Sequence, residues 1–142
     1  MSLRTFALFV LMISFAVHAD DAALHARDGW IRAAPPVASV RAGYLVIENA
    51  GDTEVVLTQV ESADFGAIEV HTMFDDAGTM RMRRVPELRV PAHGKVELKP
   101  GGLHLMMFRP QRPLAEGAQV DVTLSGDGVS LATTLQVAPA AP

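Results

Sequence analysis

Methionine and histidine are the residues of this chain whose types and spacing could do chemistry. Of seven methionines, five (Met73, Met80, Met82, Met106 and Met107) crowd into the stretch that also holds His71 and His104. Methionine is a common filler of apolar cores, so crowding alone says little. Spacing says more. Alternate residues of a strand share a face, so His104 and Met106 point one way while Leu103, Leu105 and Met107 point the other, into a core. The turn Asp75-Asp76-Ala77-Gly78 supplies a second pair. If it closes a four-residue hairpin loop, His71 stands opposite Met82 and Met73 opposite Met80, with Cβ atoms about 4.5–5.5 Å apart. The Gly101-Gly102 turn ahead of His104 permits the two His-Met pairs to approach closely.

That donor set selects its ligand. Thioether sulfur is soft and uncharged and imidazole is borderline, whereas calcium and magnesium want carboxylates that these positions lack. The chain has no cysteine, which excludes a thiolate zinc site, an iron–sulfur cluster and a blue-copper centre. Copper(I) held by His71, Met82, His104 and Met106 is the expected chemistry, and the missing thiolate favours carrying the ion over cycling its charge. Thioethers bind without releasing protons and each bond is modest, which suits exchange. No Ser-His-Asp order, phosphate-cradling glycine loop or paired carboxylates stand out, so no catalysis is expected.

Short strands must position these residues. Apolar runs at Val37 to Asn49, Glu54 to Val60, Ala67 to Phe74, Thr79 to Val85, Leu88 to Val90, Lys95 to Leu98, Leu103 to Phe108, Gln119 to Leu124 and Ser130 to Val137 are separated by Gly, Pro, Asn and Asp turn signals. No stretch keeps a 3.6-residue apolar period, so the expected class is all-β, a sandwich or barrel forming one domain. Trp30 and Tyr44 are expected to pack in that barrel, each anchoring a strand. Met107 belongs to the core, and Met73 and Met80 to the rim. His93 is expected in a solvated turn and His25 in a frayed N-terminal segment. Arg81, Arg83 and Arg84 could offer a positive rim to an acidic partner, a solvated strand face being their default role.

The N-terminus reads as an export signal. Arg4 precedes an apolar run from Phe6 to Val17, and Val17-His18-Ala19 offers a cleavage site before Asp20. About 12 apolar residues fall short of the roughly 20 that span a bilayer. The expected organisation is therefore a signal peptide at 1–19, a β domain at 20–137 and a frayed tail at 138–142, the mature protein being periplasmic. Lipidation at the usual position is excluded by the absence of cysteine. Loss of Arg4 leaves 11 basic against 16 acidic side chains, a net charge of −5, which disfavours nucleic acid as a partner.

The ligand spacing carries a family resemblance. His71, ten residues, Met82, twenty-one residues, His104, one residue and Met106 resembles without a gap the pattern of the periplasmic PCu(A)C copper chaperones. The words Glu69-Val-His-Thr-Met73, Met80-Arg-Met-Arg83, Val96-Glu-Leu-Lys-Pro-Gly-Gly102 and Arg112-Pro-Leu114 are similar too, and the resemblance runs from about Trp30 to about Leu135. It implies a cupredoxin-like Greek-key β-barrel and Cu(I) bound by the four residues near the surface. It further implies delivery to the apo CuA domain of cytochrome c oxidase subunit II, with a Sco-type protein as co-worker. The carrier is expected to be a monomer, free of the membrane after signal cleavage. The alternative is periplasmic copper storage or resistance without a dedicated acceptor. The His- and Met-rich C-terminal extension of some members is absent, which puts a second, Cu(II)-type site in doubt.

Overall fold

The computed structural model describes residues 23–142, so the expected signal peptide lies outside the described residues. Eleven strands follow one another: β1 (Leu24–Arg32), β2 (Val40–Asn49), β3 (Val55–Leu57), β4 (Gln59–Glu61), β5 (Phe65–Asp76), β6 (Thr79–Arg84), β7 (Leu88–Val90), β8 (Gly94–Leu98), β9 (Leu103–Pro110), β10 (Gln119–Gly126) and β11 (Val129–Ala138). No helix occurs among the described residues, and the all-β expectation is borne out. Nine strands form one sheet in the order β4-β10-β11-β1-β2-β9-β5-β6, with β8 also on β2, and β3 pairs β7 in a second, small sheet. β1 and β11 run parallel.

Period-two burial builds the interior. Val120, Val122 and Leu124 of β10 face inward with at most 1% exposure while their neighbours Asp121 and Thr123 do not. They meet Ile31, Leu45, Ile47, Leu105, Met107 and Leu135, all of which are fully buried. β2 is long enough to serve two partners on one edge: Val40 to Gly43 pair with β9, and Leu45 to Asn49 pair with β8. This branch fixes β9, the strand that carries His104 and Met106, in the middle of the sheet.

Several expectations need correction. Residues 24–32 form a paired strand, with His25 opposite Glu48, so His25 does not lie in a frayed segment. The Glu54 to Val60 run splits at Thr58: β3 pairs β7 whereas β4 pairs β10, because the chain crosses from one sheet to the other there. Trp30 and Tyr44 are buried and opposed across β1 and β2 with ring centroids 4.7 Å apart. Alternation nonetheless puts them on the outer face, since Ile31 and Leu45 take the inner one. β11 reaches Ala138, which pairs with Arg32. The buried Arg41 guanidinium donates to the carbonyls of Ala34, Pro35 and Leu114 and so ties down the chain between β1 and β2.

The β5–β6 hairpin departs from the expected register. Its turn holds two residues, Ala77 (φ 53°) and Gly78 (φ 86°), not four. Two successive positive φ angles define the type I′ geometry whose twist matches that of the flanking strands. Asp75 supports it by accepting a 2.6 Å hydrogen bond from the Gly78 N–H. In consequence Met73 faces Met82, and His71 faces Arg84 instead of Met82. A slip of two residues preserves the side-chain faces, so Met82 stays on the face of His71 but sits one pair nearer the hairpin tip.

Candidate metal centre

β5, β6 and β9 lie side by side and gather the candidate ligands on one face. His71 is directly opposite His104, Glu69 is opposite Met106, and Met73 is opposite Met82. The imidazole centroids of the two histidines are 6.1 Å apart. The Sδ of Met82 is 3.1 Å from Nε2 of His104. Met106 follows His104 by one alternation along β9, half-buried on the same face. The turn before β9 also contributes: Gly102 accepts the Met73 N–H at 3.3 Å, which draws the start of β9 against β5.

Hydrogen bonding fixes where the lone pairs are. Nδ1 of His104 lies 2.9 Å from the carbonyl oxygen of Gly102, and a carbonyl can only accept, so Nδ1 carries the proton. In the neutral ring, Nε2 is then an unprotonated acceptor. It faces a thioether, which has no proton to give either. A thioether and a neutral imidazole nitrogen without a proton between them, at 3.1 Å, form an arrangement that a cation would reconcile. His104 is 6% exposed and Met82 is 46% exposed, so the pair runs from the protein interior to solvent.

His71 is held from the opposite side of its ring. Its Nε2 is 2.8 Å from Oε2 of Glu69, and its Nδ1 is buried with no partner in the protein. The hydrogen bond from His71 keeps the Glu69 carboxyl below the usual carboxylate range; burial works against this, and Arg84, 3.9 Å from the other carboxylate oxygen, adds to it. Glu69 was legible in the sequence as part of a family word but not as a functional side chain. Its place two residues before His71 on one strand, hence on one face, was the signal available.

The remaining candidates separate cleanly. Met107 is fully buried and points away from Met106. Met80 is 55% exposed, on the same face as Met82 but beyond the histidines. Of the three arginines, Arg81 pairs with Asp76 at 2.7 Å and Arg83 lies over the Phe74 ring, both on the opposite face, while Arg84 alone borders the histidines. His93 sits in an exposed turn at φ 51° beside Asp52. No group of three or more His, Cys, Asp or Glu side chains able to hold a metal occurs among the described residues.

Residues 24–137 match the LpqE-like family, a family of lipoprotein type. The uncharacterized protein RP573 of Rickettsia prowazekii is 28% identical over 111 residues, covering 75% of this chain and 61% of that protein. The chain thus spans about three-fifths of the length of this curated relative. Among solved structures, the apo PCuAC domain from PmoF1 superposes with a TM-score of 0.69 at 21% identity, covering 86% of this chain and 98% of that one. The solution structure of CuI-DR1885 from Deinococcus radiodurans has a TM-score of 0.62 at 29% identity, covering 80% of this chain and 75% of that one. The fold is the cupredoxin-like one of these domains.

Proposed function

The chain belongs to the LpqE-like family of PCu(A)C proteins, and from that premise we propose that it is an exported carrier of one copper(I) ion. His71, Met82, His104 and Met106 are the proposed ligands. The observation that carries the reading is the 3.1 Å approach of the Met82 sulfur to Nε2 of His104, the ring nitrogen opposite the one that bonds the Gly102 carbonyl. The solved relative from Deinococcus radiodurans is a Cu(I) form, in keeping with the uncharged donors of this face.

Handover follows from where the ligands sit. His104 is anchored on the central strand β9, whereas Met82 lies on the edge strand β6, every residue of which is exposed. The thioether of Met82 is the ligand an incoming acceptor reaches first, and its displacement would start the transfer. The proposed acceptor is the apo CuA domain of cytochrome c oxidase subunit II in the periplasm, with a Sco-type protein as co-worker.

The test has two stages. The domain is titrated with Cu(I) against a chromophoric chelator and the loaded protein is read by X-ray absorption. One equivalent with mixed sulfur and nitrogen neighbours is expected, and a spectrum of oxygen and nitrogen neighbours alone would sink the reading. The loaded carrier is then mixed with an apo CuA domain. Copper that stays on the carrier would remove the delivery role and favour storage.

A further inference from the structure

The two histidines opposed at the centre of the face are held by different atoms and from different sides. His104 gives its Nδ1–H to the Gly102 carbonyl and keeps Nε2 free. His71 has Nε2 against the Glu69 carboxylate and keeps Nδ1 buried and without a partner. A buried nitrogen without a hydrogen bond goes unrewarded for the water it gave up, so an orphan beside a second imidazole calls for an occupant. Rotating the proton to Nδ1 would not relieve it. The N–H there would also be unpaired, and the bond to Glu69 would be lost.

We propose that Glu69 is the positioning residue of this centre: it holds the proton of His71 on Nε2, so that His71 presents Nδ1 to the metal while His104 presents Nε2. This rests on the carrier reading above and deepens it. Three consequences follow from the chemistry. First, an imidazole whose distal N–H is given to a carboxylate is a better electron donor at its other nitrogen. Second, two thioethers and two neutral imidazoles leave the +1 charge of Cu(I) uncompensated, and Glu69 supplies the opposite charge one bond away from a ligand. Third, Arg84, 3.9 Å from the second carboxylate oxygen and on the same edge strand as Met82, keeps that carboxylate from turning in to coordinate the metal itself. A carboxylate ligand would harden a site whose other donors are soft.

The backbone explains why only Glu69 can do this. It precedes His71 by one alternation on β5, so both side chains rise from the same face, and its cross-strand partner is Met106, not another acceptor. Among the described residues, the hydrogen bond to Glu69 is the one that the His71 side chain makes.

The experiment begins on the metal-free protein. Long-range ¹H–¹⁵N correlation on histidine-labelled protein is expected to show His71 protonated at Nε2 and His104 at Nδ1. Glu69→Gln, whose amide oxygen still accepts from Nε2–H, should keep that tautomer. Glu69→Leu should release it to a mixture while the backbone spectrum of β9 stays in place. Copper(I) affinity, by chelator competition, should fall about 10–100-fold in Glu69→Leu and by less in Glu69→Gln. His71 protonated at Nδ1 in the unaltered protein would overturn the proposal, as would unchanged tautomer and affinity in Glu69→Leu. A protein that shows the expected tautomers and binds no Cu(I) would refute the carrier reading and leave the assignment of Glu69 standing.

Discussion

Adjacent methionines on β9 should separate stability from copper binding. Met107 is fully buried in the core, and Met106 is half-buried on the candidate metal face. Met107→Ala deletes a core side chain, a class of change that costs about 2–5 kcal/mol depending on how far the surroundings collapse into the void. Collapse is limited here because the residue beneath the sulfur is Gly43, where an added Cβ would stand only 2.9 Å from Met107 Sδ. A glycine has no side chain to move inward, so about 3–4 kcal/mol is expected, or a fall in Tm of about 10–15 °C for a domain of this size. The same contact supplies an internal control. Gly43→Ala alone overpacks the site and should cost about 1 kcal/mol, yet in the Met107→Ala background it fills part of the void and should restore about 1 kcal/mol. Thermal and urea unfolding measure both, and a chelator titration should still find one Cu(I) bound to Met107→Ala at low temperature. Met106→Ala should do the reverse, losing copper affinity with a Tm change of a few degrees. The reasoning is refuted if Met107→Ala stays folded but loses the metal, or if the two glycine and methionine changes prove additive.

Other outcomes follow from single contacts. Met82→Leu keeps the volume of an exposed side chain, so stability should move by no more than about 0.5 kcal/mol, while X-ray absorption of the loaded protein should lose one sulfur neighbour. Ala77 holds a left-handed conformation in the β5–β6 turn, and Ala77→Asn, a residue that tolerates this geometry, should stabilise the domain by about 0.5–1 kcal/mol in urea unfolding. Arg41→Ala strands three carbonyls and leaves a hole in place of a buried guanidinium, with an expected loss of about 2–4 kcal/mol, read by the same method.

Legibility differed among the site residues for physical reasons. The faces of His104, Met106 and Met107 were readable because alternation is a property of the single strand. The pairing of β5 with β6 was not, because Ala77 gives no warning that it will take a positive φ, and the polar run Asp75-Asp76-Ala77-Gly78 fits a four-residue loop as well as a two-residue one. The β10–β11 hairpin repeats the point: Ser125 and Gly126, which looked like turn, remain paired in strands, and Asp127-Gly128 alone makes the bend. β1 was legible only at Trp30 because its inward residues are few and a bulge shifts its register between Arg27 and Trp30.

By itself the sequence determined the donor chemistry. Two histidines and two methionines at strand spacing, in a chain without cysteine, favour a soft metal ion over a hard one before any fold is known. Tertiary structure alone decided how those donors meet. Setting His71 opposite His104 depends on β5 pairing with β9 across 33 positions of chain, and the Gly102 carbonyl and Glu69 carboxylate then decide which ring nitrogen of each histidine is free. Local pattern cannot encode that choice, because a tautomer is set by whichever acceptor the folded backbone brings within hydrogen-bonding distance.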